Sequence, residues 1–232
     1  MDLKKVSFMR ACRTDKGVHA AGQVVSMKMI MEDPNIVERV NALLPKSIHI
    51  YDIRRTSNSF HAKENCDSRI YEYLIPSWIF MDNHVPESIK SERSEEPFIA
   101  TMSDIPIQDS LKSYRISEEK KQLIQELLSM YCGTKNYHNF TIGKESKDAS
   151  AKRHIKSFLL ADVIIKEDGV EWLSLVVHGQ SFMMHQIRKM VGLIVLMVRY
   201  NAAVEKFSIA FENNKLNIPK APGEGLLLEK VF

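Results

Sequence analysis

Cysteine, glycine and proline are all scarce in this 232-residue chain, with 3, 9 and 8 residues respectively. Cys12, Cys66 and Cys132 are odd in number, far apart and without any CxxC pair. That excludes a disulfide-stapled secreted scaffold and predicts reduced thiols. So few glycines leave no GxxxxGK[ST] phosphate cradle, and no GxSxG elbow occurs. The histidines, at 19, 49, 61, 84, 138, 154, 178 and 185, include neither HExxH nor Cys/His finger spacing, so no metal and no cofactor are expected. Long apolar runs are missing too. The longest, residues 190–198 with Gly192 inside it, is too short to cross a bilayer and reads as a buried helix. The opening MDLKKVSFMR lacks the apolar stretch of a signal peptide, and no membrane partner is expected.

What is present is ordinary globular material: 44% hydrophobic and 26% charged residues, a length of one or two domains, and enough chain to bury a core unaided. The net charge is only +3, but it is unevenly spread. Residues 172–204 hold no carboxylate while carrying Arg188, Lys189 and Arg199. Lys144, Lys147, Lys152, Arg153 and Lys156 form a second basic group, and acids gather in 87–96. A near-neutral total that conceals a basic face is compatible with phosphate binding; solvated surface charge is the alternative.

Periodicity predicts strands at 24–29, 48–53, 69–75, 158–165, 172–177 and 225–231. It predicts helices from an Asp33-Pro34 start to 44, from Ser117 to Gly133, over 184–199 and over 204–211. Glu167-Asp168-Gly169 reads as the turn of a hairpin. Residues 77–115 show no sustained period and read as an insertion or mobile loop between an N-terminal lobe, 1–76, and a C-terminal lobe, 116–232. Runs of strands with few intervening helices predict an α+β class with antiparallel or mixed sheets.

Three segments concentrate reactive side chains. In Arg10-Ala11-Cys12-Arg13-Thr14-Asp15-Lys16-Gly17-Val18-His19-Ala20, neighbouring cations favour an ionised Asp15, which suits a nucleophile; an aspartate in a turn is the plain alternative. In Ser59-Phe60-His61-Ala62-Lys63 and the following Arg69-Ile70-Tyr71-Glu72-Tyr73, alternation puts Arg69, Tyr71 and Tyr73 on one strand face. An aromatic plane beside a cation suits an unstacked base, although alternating tyrosines also serve as cross-strand packing. In the 178–192 segment, Met184, Ile187 and Val191 share a helix face with Arg188 beside it. Arg188 can be drawn inward only onto a carboxylate, for which Asp15 is a candidate; otherwise it faces solvent.

These segments, in this order, resemble the TruA family of tRNA pseudouridine synthases, most closely its eukaryotic multisite-specific branch. The resemblance rests on R-T-D-K-G-V-H-A, on S-F-H-A-K with S-R-I-Y-E-Y-L-I-P, and on G-Q-S-F-M-M-H-Q-I-R-K-M-V-G. Asn139-Phe140-Thr141, Pro219-Lys220-Ala221-Pro222 and Gly225-Leu226-Leu227-Leu228-Glu229 are lesser echoes, and the likeness runs nearly end to end outside 77–115. It implies a two-lobed fold with mixed, largely antiparallel sheets flanked by helices around a central cleft. It implies isomerisation of uridine to pseudouridine in tRNA, and leaves open whether small nuclear or messenger RNA is a substrate as well. Asp15 would then be the nucleophile, through either attack on C1′ or a glycal intermediate, Tyr71 would stack on the uracil, and Arg188 would pair with Asp15. Arg13, Lys16, Lys63, Arg69 and Lys189 would contact RNA. A monomer in the nucleus is implied, with a homodimer and the mitochondrion as alternatives. The resemblance also implies a strand–helix unit ahead of the nucleophile motif, whose absence would leave an uncovered sheet edge, or reduce the chain to an inactive RNA-binding remnant.

Overall fold

The computed structural model describes residues 5–81 and 109–232. Eight strands and four α-helices are found among them: β1 (Met9–Arg10), β2 (His19–Ala20), β3 (Val25–Ser26), α1 (Ile36–Leu43), β4 (Arg69–Pro76), α2 (Asp109–Lys112), α3 (Glu118–Ser129), β5 (Gly133–Asn136), β6 (Lys152–Ile165), β7 (Glu171–Gly179), α4 (Gln186–Arg199) and β8 (Leu226–Val231). The class is α+β. The acidic stretch 87–96 and most of the expected 77–115 insertion lie outside the described residues.

The chain divides into two compact units. The larger joins residues 14–22 to 67–232. Its sheet has the order β2-β8-β4-β7-β6-β5, antiparallel throughout except that β2 runs parallel to β8. β4 is central because it can be buried on both faces: Tyr71, Tyr73 and Ile75 are buried on one side, and Ile70, Glu72 and Leu74 are half-covered on the other. The predicted hairpin turn closes β6 onto β7, with Lys166 N donating to Val170 O and Gly169 at a positive φ of 82°. Ser117 caps α3 by accepting from Lys120 N, and Ile124, Leu127 and Leu128 form its buried stripe. That stripe lies against β6 and α4. Tyr131, fully buried, is the hub of an aromatic cluster with Tyr137, Phe140, Phe158, Phe207 and Phe211. Its hydroxyl donates to Met190 O at 3.0 Å, and that of Tyr137 to Tyr131 O at 2.6 Å, so neither polar tip is stranded. Burial raises both phenols above their ordinary pKa.

The smaller unit comprises residues 1–13 and 23–66. Among its described residues only Ala11, Cys12 and Ala62 are buried, and α1 buries none of its side chains. Two predictions fail here. The 48–53 stretch is not a strand, and the 24–29 stretch shrinks to β3, paired with β1. The reason is that amide side chains take over the role of a partner strand. Asn41 both donates to Ile50 O and accepts from Ile50 N, each at 2.8 Å. Gln23 does the same for Cys12, each at 3.1 Å. Backbone groups satisfied in this way need no ladder. The Asp33 side chain likewise accepts from Asn35 N in a turn, and α1 begins only at Ile36.

Several expectations change in the larger unit: β6 begins at Lys152, six residues ahead of the expected 158, and its early part pairs with β5, which periodicity does not predict. Residues 204–211 form a 3₁₀ helix, not an α-helix. The helix expected from 184 starts at Gln186, because His185 ahead of it takes a left-handed conformation with φ 63°.

Candidate active site

The Asp15 loop belongs to the larger unit. Val18 N donates to Asp15 O at 3.2 Å, closing a tight turn in which Gly17 has φ 84°, a region a side chain rarely adopts. Beyond it, β2 pairs with β8, and Ala21 N donates to Leu228 O at 2.8 Å. The loop is thus anchored to a sheet strand within six residues of the carboxylate.

Arg188 reaches Asp15 from α4. Ile187, Met190, Val191, Ile194, Met197 and Val198 recur at helical spacing and are all buried, which sets the helix rotation and leaves Arg188 at the border of the stripe. Its Nη1 donates to Asp15 Oδ2 at 3.2 Å, and its Nε donates to Ala221 O at 2.6 Å. The side chains retain only 12% and 21% exposure for Arg188 and Asp15, so the pair is largely withdrawn from water. Met184 does not share the stripe: it precedes the helix and is exposed.

The 219–225 segment fixes the arginine. Ala221 N donates to Arg188 O, Tyr73 Oη donates to Pro222 O at 2.9 Å, and Leu74 N donates to Gly225 O at 2.8 Å. The segment lies so close to α4 that a Cβ on Gly192 would stand 2.1 Å from Pro219 O. Burial pushes the Tyr73 phenol well above its usual pKa; the Arg188 charge opposes this and Glu224 adds to it. Tyr73 is therefore a neutral donor that holds the strap.

Tyr71 lies between Val177 on β7 and Leu228 on β8, and Leu228 faces Ala20 on its other side. Tyr71 is 7% exposed, and its ring meets the edge of Phe182 at 5.4 Å between centroids and 86° between planes. The segment ahead of α4 therefore ties the three motifs together. Gln180 O accepts from Arg69, Phe182 packs on Tyr71, and His185 and Arg188 both reach Asp15.

The other predicted residues have varied settings. Lys16 is exposed on the Asp15 loop. Arg69 is half-buried at the start of β4. Lys189 donates to Asn139 O and Thr141 O, each at 3.3 Å, and its pKa is lowered by desolvation and by the Lys220 and Lys215 charges. Arg13 and Lys63 are exposed and belong to the smaller unit. His185 lies within the G-Q-S-F-M-M-H-Q-I-R-K-M-V-G motif, where residue type alone assigns it no role, yet its Nδ1 lies 2.7 Å from Asp15 Oδ2. Asn139-Phe140-Thr141, a lesser echo of the family in sequence, has a structural role here. Asn139 is a buried clamp, donating to Ala210 O and Asn214 O and accepting from Leu216 N.

Residues 127–232 match a family model described as tRNA pseudouridine synthase. Nearly end to end, the chain is similar to tRNA pseudouridine synthases. It is 39% identical to tRNA pseudouridine synthase 1 of Yarrowia lipolytica over 289 aligned residues, covering 99% of this chain and 54% of the relative. To tRNA pseudouridine synthase 1 of Saccharomyces cerevisiae it is 38% identical, covering 98% and 52%. To the pseudouridylate synthase 1 homolog of Mus musculus it is 40% identical, covering 99% and 49%. The chain spans about half the length of the curated relatives it matches.

Proposed function

We propose that this chain isomerises uridine to pseudouridine in tRNA without a cofactor, with Asp15 as nucleophile, Arg188 as its partner and Tyr71 against the uracil. The observation that carries the reading is the Arg188–Asp15 pair at the first turn of α4, linked to Tyr71 through Phe182. A fixed guanidinium hydrogen-bonded to a largely buried carboxylate orients it.

In the proposed reaction the target nucleotide leaves its stack, at a cost of a few kcal/mol that backbone contacts offset. An Asp15 oxygen bonds to C1′ as the C1′–N1 bond breaks, and the electron pair departs with the uracil. The base turns over, C5 bonds to C1′, and the carboxylate is released with its electrons. C5 then loses its proton and N1 gains one, so composition is unchanged. Arg13, Lys16, Lys63, Arg69 and Lys189 are the proposed RNA contacts, and uridines in small nuclear or messenger RNA are further substrates under this reading. We assign a monomer acting in the nucleus, with the homodimer and the mitochondrion as the outcomes that sizing and tagged localisation would reveal.

The test is chemical mapping of pseudouridine in unmodified tRNA treated with the wild-type chain or with Asp15→Ala. Product from wild type and none from the variant is expected. Equal product from both would overturn the nucleophile, and salt-sensitive binding without turnover would mark an RNA-binding chain.

A further inference from the structure

Both hydrogen bonds that Asp15 accepts on its carboxylate fall on one oxygen. His185 Nδ1 stands 2.7 Å and Arg188 Nη1 3.2 Å from Oδ2, whereas Oδ1 makes no hydrogen bond among the described residues. A carboxylate held by one donor can still rotate and exchange its two oxygens. Two donors mounted on the same helix terminus remove that freedom.

His185 is held in place firmly. It sits at the N-cap position of α4 with φ 63° and ψ 3°, a left-handed conformation tolerated by few residues, and its ring makes no cap bond to its own helix. The residues before it are braced from two sides. Thr141 Oγ1 donates to Met184 O at 2.9 Å, and the buried Gln186 side chain accepts from Met183 N at 2.9 Å. Lys189 N donates to His185 O at 2.9 Å. A helix start that spends its N-cap side chain on a residue 170 positions away in sequence is organised around that residue.

We propose that His185 is a positioning residue: with Arg188 it ties down Oδ2, so that Oδ1 is the oxygen presented to ribose C1′. This rests on Asp15 being the nucleophile. An ionised carboxylate only accepts, so the proton lies on Nδ1 of His185. When C5 bonds to C1′ and the Oδ1–C1′ electron pair returns to Asp15, the donors on Oδ2 stabilise the restored charge.

The experiment compares His185→Gly, which keeps the left-handed backbone and deletes the donor, with His185→Asn, which keeps both. Single-turnover rates on unmodified tRNA, tRNA affinity and thermal melting are measured for each. His185→Gly should lower the rate by about 10- to 100-fold, with affinity and melting close to wild type, and His185→Asn should recover most of that loss. A Gly variant as fast as wild type, or an Asn variant as slow as Gly, overturns the proposal. Should the Gly variant not fold, ¹⁵N-histidine spectra of the RNA-free protein decide. A protonated Nδ1 on His185 that changes in Asp15→Ala supports the contact; an unprotonated Nδ1, or no change, overturns it. Wild type that makes no pseudouridine defeats the functional reading alone, because the spectra test the contact without turnover.

Discussion

Arg188 carries two obligations, one to the Asp15 carboxylate and one to the carbonyl of Ala221. Truncating it would leave a carboxylate that is 21% exposed with His185 as its remaining side-chain donor, and a carbonyl that then lacks its donor. Removing one member of a fully buried pair costs about 3–5 kcal/mol, and residual solvent access reduces this. Arg188→Ala should therefore lose about 2 kcal/mol of stability and nearly all turnover, read by denaturant melts and by pseudouridine mapping. Arg188→Lys should keep the charge but not both bonds, since one ammonium cannot reproduce a fork that serves two acceptors on different elements. Unchanged melting and rate in the alanine variant would remove Arg188 from the site.

Within α4, Gly192 is the residue whose replacement separates helix propensity from packing. In an exposed helix interior, glycine to alanine gains about 1 kcal/mol. Here the added Cβ would meet Pro219 O at 2.1 Å, and neither partner is a flexible side-chain end. The strap of 219–225 must lift, carrying Ala221 O away from Arg188 Nε and Pro222 O away from Tyr73. Gly192→Ala should thus destabilise by about 1–3 kcal/mol and depress turnover with little change in tRNA affinity. A more stable, fully active variant would show that the strap does not hold Arg188. The same element shows where helical periodicity and the true start of α4 part company. Periodicity extends the helix to Met184, but the left-handed turn at His185 is imposed by contacts with Thr141 and Asp15.

For the whole molecule, the two units differ in what holds them. The larger buries complete helix stripes, a sheet face and an aromatic cluster; the smaller buries three small side chains among its described residues and leans on amide clamps at Asn41 and Gln23. Regions with little buried apolar area open locally at low free-energy cost. Hydrogen exchange should accordingly be at least about 100-fold faster in α1 than in the buried turns of α4. Equal protection would mean that α1 opens only with the global unfolding of the chain.

Much of the larger unit was legible because its side chains obey the periods of helix and strand. β4, the β6–β7 hairpin, α3 with its Ser117 cap, and β8 all stand where alternation, stripe or turn residues put them. The smaller unit was poorly legible: a side-chain amide that satisfies a distant backbone pair leaves no periodic trace, as Asn41 does for Ile50. Asp15, Tyr71 and Arg188 could be named as chemistry from residue type, neighbours and family likeness. The meeting of Arg188 with Asp15, the arrival of His185 at the same carboxylate oxygen, and the packing of Tyr71 on Phe182 depended on sheet register and on a strap 30 or more residues beyond α4's first turn. Local sequence encodes what each segment prefers; which oxygen of Asp15 is held and which is left open is a matter of distance between segments, and only packing sets that.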